Sequence, residues 1–207
     1  MVPHKTPAIL QQLMPSRLWR VVTNEKKLFL TFDDGPIPEL TDWVLDTLTQ
    51  YNAKATFFCV GANVEKHPEI LQRIVKEGHA IGNHTQHHLN GWQTPLDEYL
   101  QNVAACQQTF RAQHVATRLF RPPYGRLRWQ QRKQLGDLQV VMWDVLSKDY
   151  LQTLASEEVL SESIKATQAG SIIVFHDNVK AEKNLRYALP RFIAHFQSLG
   201  FQFDALP

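Results

Sequence analysis

Apolar runs of three to six residues recur along the chain, each closed by turn residues and followed by a longer stretch of helical periodicity. Lys27 to Phe32 (KLFLTF), Ala55 to Val60 (ATFFCV), His79 to Asn83, Arg118 to Arg121, Gln139 to Trp143 (QVVMW), Ser171 to Phe175 (SIIVF) and Phe201 to Phe203 read as seven strands. Glu39 to Tyr51, Pro68 to Lys76, Leu96 to Gln113, Leu127 to Leu135, Ser156 to Ala166 and Glu182 to Leu199 read as helices. Thr94 and Ser156 are the expected N-caps, and Gly78 and Gly200 the left-handed ends. Strands that alternate with helices demand parallel crossovers, which leaves an open doubly wound sheet or a closed barrel.

The polar residues separate these two. Asp33, Asp34, His84, Arg121, Asp149 and His176 fall at or shortly beyond the C-terminal ends of the expected strands. A barrel gathers such ends into one mouth, whereas an open sheet spreads them along an edge. The expectation is therefore a single α/β domain, a deformed (β/α)7 barrel over residues 27–207, with residues 1–26 as an extension packed on it. No repeat or Gly/Ser-rich linker divides the chain, and 207 residues suit one domain.

Charge and cysteine usage remove several kinds of partner. Twenty-two Lys and Arg against 20 Asp and Glu leave a net charge of +2, so no basic field points to nucleic acid or an anionic membrane. Cys59 and Cys106 are too few for a disulfide framework and lack zinc-knuckle spacing, and they read as buried free thiols. The first thirty residues contain no apolar run of secretory length, and no segment approaches a membrane span. A cytoplasmic protein is expected, and no protein partner can be inferred.

Four segments carry residue types suited to chemistry. Thr31-Phe-Asp-Asp-Gly-Pro36 sets two adjacent carboxylates after a strand, where one can bind a cation while the other accepts a proton. Read alone, it is as much an Asp turn. Gly82-Asn-His-Thr-Gln-His-His88 holds three of the nine histidines; His84 and His88, four apart, have the spacing of paired metal ligands on one helical turn. With Asp34 they make a two-His, one-Asp set, although a solvated loop accounts for the same residues. Arg121-Pro-Pro-Tyr-Gly125 is a stiff turn that fixes an Arg and backbone N–H groups, suited to a developing oxyanion or to a plain structural corner. His176 ends an apolar strand, a place for a buried, paired or catalytic imidazole, and Asp144 or Asp149 can orient it or Arg121.

In this order on one chain, these segments resemble the polysaccharide deacetylase family with the NodB homology domain, carbohydrate esterase family 4, over about residues 27 to 204. The resemblance implies a deformed (β/α) barrel and metal-dependent removal of acetyl groups from an acetylated glycan. It implies Asp33 as catalytic base, Asp34 with His84 and His88 as metal ligands, and His87 as a bystander. Arg121 matches the residue that holds the base, the Tyr124 backbone N–H the oxyanion donor, His176 the general acid and Asp149 its orienting carboxylate. The cofactor implied is one divalent ion, foremost zinc, with cobalt or nickel as substitutes. Three positions in two motifs depart from the pattern: Leu146-Ser-Lys-Asp149-Tyr150 stands where the family usually has D-x-x-D-W, losing the first Asp and exchanging Trp for Tyr, and Val174 replaces the Leu of L-x-H. These bear on the acetyl pocket and the sugar platform, not on proton or metal handling. An O-acetyl esterase and a silent glycan-binding protein are the rival readings on the same scaffold; an iron oxygenase is disfavoured by the alternating helices. Trp92, Tyr124 and Trp129 are candidate stacking surfaces for sugar rings.

Overall fold

The computed structural model describes residues 3–207. In chain order it contains α1 (Ala8–Leu13), β1 (Lys27–Asp33), α2 (Leu40–Gln50), β2 (Ala55–Cys59), α3 (Gly61–Lys66), α4 (Pro68–Lys76), β3 (Ala80–Asn83), α5 (Leu96–Ala112) and β4 (Leu119–Phe120). A 3-10 turn at Pro123–Gly125 follows, then α6 (Trp129–Lys133), β5 (Gln139–Val140), β6 (Val145–Leu146), α7 (Ser156–Ala166), β7 (Ile172–His176), α8 (Glu182–Ser198) and β8 (Gln202–Phe203). The sheet order is β5-β4-β3-β2-β1-β7-β6, with β8 beside the start of β1, and every strand pair is parallel. This is the expected single-domain deformed barrel, with one further two-residue strand, β6.

The two faces of the curled sheet explain why its strands read as unbroken apolar runs. Leu28, Leu30 and Phe32 point outward into the main core, shared with Val44, Leu48, Leu189 and Phe192 of the covering helices. Phe29 points inward and packs with Phe58, Leu119, Val141 and Ile172. Thr31 and Asp33 share that inner face, so the interior turns from apolar to polar toward the C-terminal mouth.

The sheet does not close strand to strand between β5 and β6. The N-terminal segment spans the gap instead. The Leu18 N–H donates to Val140 O at 2.8 Å and Met142 N–H donates to Leu18 O at 2.7 Å. Thr6 N–H donates to Asp144 O and Leu146 N–H to His4 O, both at 2.8 Å. Beneath these lies the fully buried Asp144, which accepts from Lys5 Nζ and Ser171 Oγ at 2.6 Å and from Gln11 Nε2 at 3.1 Å. Asp144 therefore orients neither His176 nor Arg121, because its neighbours across the seam have taken its oxygens.

Gly78 and Gly200 end their helices with φ of 78° and 81°, as expected. Neither expected N-cap acts as one. Pro95 and Ala155 occupy the cap positions; the Thr94 hydroxyl bonds back to Asn90 O, and Ser156 is the first helical residue, its hydroxyl on Asn184. Cys59 and Cys106 are buried free thiols. Among the described residues, no helix is long and apolar enough to cross a membrane.

Candidate metal centre and its surroundings

The mouth is built where β1, β3, β4 and β7 end. Parallel register sets Asp33 directly beside His176 on β7 and Phe58 on β2, so the carboxylate and the imidazole leave neighbouring strands at the same height. Asp34 follows in a left-handed conformation, φ 85°, which turns it away from the direction of Asp33. The His84 to His88 segment is not a helical turn: Thr85 and His88 are left-handed, φ 65° and 55°, and fold the loop so that both imidazoles still face one point. Helix α5 fastens this loop, since Asn102 accepts from Gln86 N–H through its carbonyl and from His87 N–H through its side chain. The His87 side chain is exposed and stands outside the cluster.

Asp34, His84 and His88 each bring a ligand atom within 4.8 Å of the others. Asp34 Oδ1 lies 3.0 Å from His88 Nε2 and 3.5 Å from His84 Nε2, yet it is buried without a hydrogen-bond partner. Its other oxygen accepts from Asn178 Nδ2 at 2.5 Å. His84 Nδ1 is 2.7 Å from Arg121 O, a carbonyl that can only accept, so Nδ1 carries a proton and Nε2 is the ring atom turned toward Asp34. Burial alone would raise the Asp34 pKa, but His84 and His88, with the charge of His176, hold it well below the usual carboxylate range. Asp34 Oδ1 and the Nε2 atoms of His84 and His88, converging on one point, make a cradle for a cation.

Arg121 occupies the centre of the barrel, fully buried, its guanidinium 4.0 Å from the Phe58 ring centroid. It donates to Asp33 Oδ1 at 2.6 Å, Thr31 Oγ1 at 2.7 Å and Met142 O at 2.8 Å. On the other flank, His176 is gripped by the fully buried Asp149, through its ring Nδ1 at 2.7 Å and its backbone N–H at 2.8 Å. Burial pushes the His176 pKa down, but the Asp149 charge and hydrogen bond, with Asp34 and Asp33 beyond, bring it up to about 9. The Tyr124 N–H has no acceptor among the described residues, and its ring stands edge-on to His88 at 4.7 Å. Tyr150, where the family pattern has Trp, packs edge-on against His176 at 4.9 Å.

A profile of the polysaccharide deacetylase family matches residues 20–143. A peptidoglycan-N-acetylglucosamine deacetylase of Bacillus cereus is 35% identical over 191 residues, covering 89% of this chain and 88% of that protein. The chain belongs to the polysaccharide deacetylase family. A chitooligosaccharide deacetylase of Azorhizobium caulinodans is 30% identical over 91% of this chain and 96% of its own length. In three dimensions, the crystal structure of the Bc1960 peptidoglycan N-acetylglucosamine deacetylase superposes with a TM-score of 0.89 at 31% identity, covering 98% and 95% of the two chains. The chain is thus a carbohydrate deacetylase, a hydrolase, built on this family's barrel.

Several side chains that shape the deacetylase mouth escape sequence reasoning. Asp177 accepts from Gly35 N–H at 3.1 Å and from Thr41 Oγ1 at 2.6 Å, bracing the turn that carries both carboxylates. The fit is close: a Cβ on Gly35 would lie 2.0 Å from Asp177 Oδ2. Asn178 fixes one oxygen of Asp34, and Thr31 supports Arg121. Each was visible as a neighbour of a motif residue, but its partner is set by strand pairing that spacing does not reveal.

Proposed function

We propose that the chain is a metal-dependent deacetylase that removes acetyl groups from N-acetylated sugars of a poly- or oligosaccharide, with Asp34, His84 and His88 holding one divalent ion. The unpartnered Asp34 Oδ1 among two imidazole nitrogens supports this, and a set of two nitrogens and one oxygen suits zinc, with cobalt or nickel able to substitute. Such an ion, when bound, supplies Lewis acidity toward the acetyl carbonyl and acidifies water. The chain's own residues do the rest. Asp33, tied to Arg121 through one oxygen, takes the proton of the attacking water with the other. The Tyr124 N–H donates to the carbonyl oxygen as it gains charge. His176, kept protonated and aligned by Asp149, gives its proton to the sugar nitrogen as the C–N bond breaks, so that acetate and a free amine leave.

The register of Asp33 beside His176 carries the proposal. It seats a group that accepts a proton and one that gives it on adjacent strands, next to the cation cradle. The relatives' substrates, peptidoglycan N-acetylglucosamine and chitooligosaccharides, favour an N-acetyl glycan.

The test is bound metal and acetate release from N-acetylglucosamine oligomers, with acetylated xylan as the O-acetyl arm. Asp33→Asn is expected to retain metal and lose about 10³-fold in turnover, whereas His84→Ala loses both. Equal metal loss in the two variants would contradict the assigned roles, and a wild type that binds these glycans but releases acetate from none of them would be a glycan binder.

A further inference from the structure

Beside the metal cradle is a ledge of side chains that the reaction does not use. It begins at Tyr124, in contact with His88, and continues through Arg126 to Trp92. The Arg126 guanidinium carbon lies 5.2 Å from the Trp92 ring centroid and 6.0 Å from that of Tyr124. Both rings are more than half exposed, at 57% and 61%, while Arg126 is half-buried. The two loops that form the ledge are sewn together. Gln131 Nε2 donates to Gly91 O at 2.8 Å, Arg128 donates to Trp92 O, and a Cβ on Gly91 would lie 2.4 Å from Arg126 O. The chain segments that carry Trp92 and Arg126 are therefore held close together by side-chain to backbone hydrogen bonds.

Arg126 is the unspent group on this ledge. Arg128 has a carbonyl, Arg121 a carboxylate and Lys133 the Trp129 ring, but the Arg126 guanidinium makes no hydrogen bond or ion pair among the described residues. Its aromatic contacts leave the planar N–H fork available, and that fork matches a carboxylate with two parallel bonds. Exposed aromatic faces beside it suit the apolar face of a sugar ring. We propose that Trp92, Arg126 and Tyr124 form a subsite for a sugar bearing a carboxylate, placed next to the acetylated sugar, so that the chain prefers anionic to neutral glycans. This rests on the deacetylase reading and names the substrate class it favours. The carboxylate can belong to a lactyl ether, as in N-acetylmuramic acid, or to a uronic acid.

The experiment compares tetrasaccharides of N-acetylglucosamine alternating with N-acetylmuramic acid or with glucuronic acid, each as free acid and as methyl ester. Wild type is expected to favour at least one acid over its ester by about ten-fold in kcat/KM, chiefly through KM. In Arg126→Gln that ratio falls to about one; which acid shows the effect identifies the source of the carboxylate. Equal handling of acid and ester by wild type, or a preference that survives Arg126→Gln, overturns the proposal. Calorimetric binding of the same probes to Asp33→Asn protein, with and without Arg126→Gln, reads the subsite without turnover. An inert wild type whose Asp33→Asn form still prefers the acids refutes the catalytic reading alone, whereas turnover without preference refutes the subsite alone.

Discussion

His176 shows how a single residue acquires its chemistry from its surroundings. An imidazole ordinarily titrates near 6.5, and burial lowers that further, yet the Asp149 clamp brings it up to about 9. A raised value means that the protonated form persists to higher pH, so activity that needs this proton is present below the shifted pKa and lost as pH rises through it. Asp149→Asn removes the charge and leaves the burial. The alkaline limb of the pH–rate profile is then expected to move to lower pH, by at least one unit, with kcat affected more than KM; an unmoved limb would separate Asp149 from the acid. At this scale the sequence is most legible where chemistry dictates residue type: two carboxylates, two histidines four apart, a histidine ending an apolar strand. Asp177 and Asn178 follow that histidine directly, yet their work is on Gly35 and Asp34, more than 140 positions away in the chain. Only strand pairing reveals them.

Elements were legible in proportion to their length. The long helices α5 and α8 and the strands β1, β2 and β7 match the periodic runs closely, because a buried face must repeat to be buried. Helix α3, six residues without an apolar stripe, and the two-residue β6 carry too little pattern to be read. The caps failed for a related reason: a hydroxyl near a helix start caps only if its backbone is extended there, and Pro95 and Ala155 took that place. The histidine loop shows what a helix contributes beyond its own core. Its backbone is fastened by Asn102 of α5, so Asn102→Ala is expected to weaken metal binding about ten-fold while lowering stability by only about 1 kcal/mol. Metal titration together with a thermal melt checks both; unchanged affinity would mean that the loop holds its shape without α5.

For the whole molecule, the alternation of strands and helices announced the barrel, and the clustering of polar residues at strand ends announced its mouth. How the ring closes was not legible, because His4, Thr6 and Leu18 make backbone hydrogen bonds that leave no mark on composition. Asp144, buried under that seam, joins the N-terminal segment to β7. Replacing it with Asn removes the charge that Lys5 faces and one acceptor of Ser171. Lys5 is more than a third exposed, so water takes up part of the loss, and the expected cost is about 2 kcal/mol, or ~4–8 °C in Tm. A melt unchanged within 1 °C would show that the seam does not hold the fold together. Around the opposite rim, Asp34, His88, Tyr124 and Lys148 all adopt left-handed backbone, each at a conformational cost of about 1–2 kcal/mol for a residue with a side chain. That cost is met once, when the chain folds, by burial elsewhere in the domain. The socket is thus ready before anything enters it, and on the proposed reading Trp92 and Arg126, which do not touch the histidines, can be exchanged without reshaping the loops that would grip an ion.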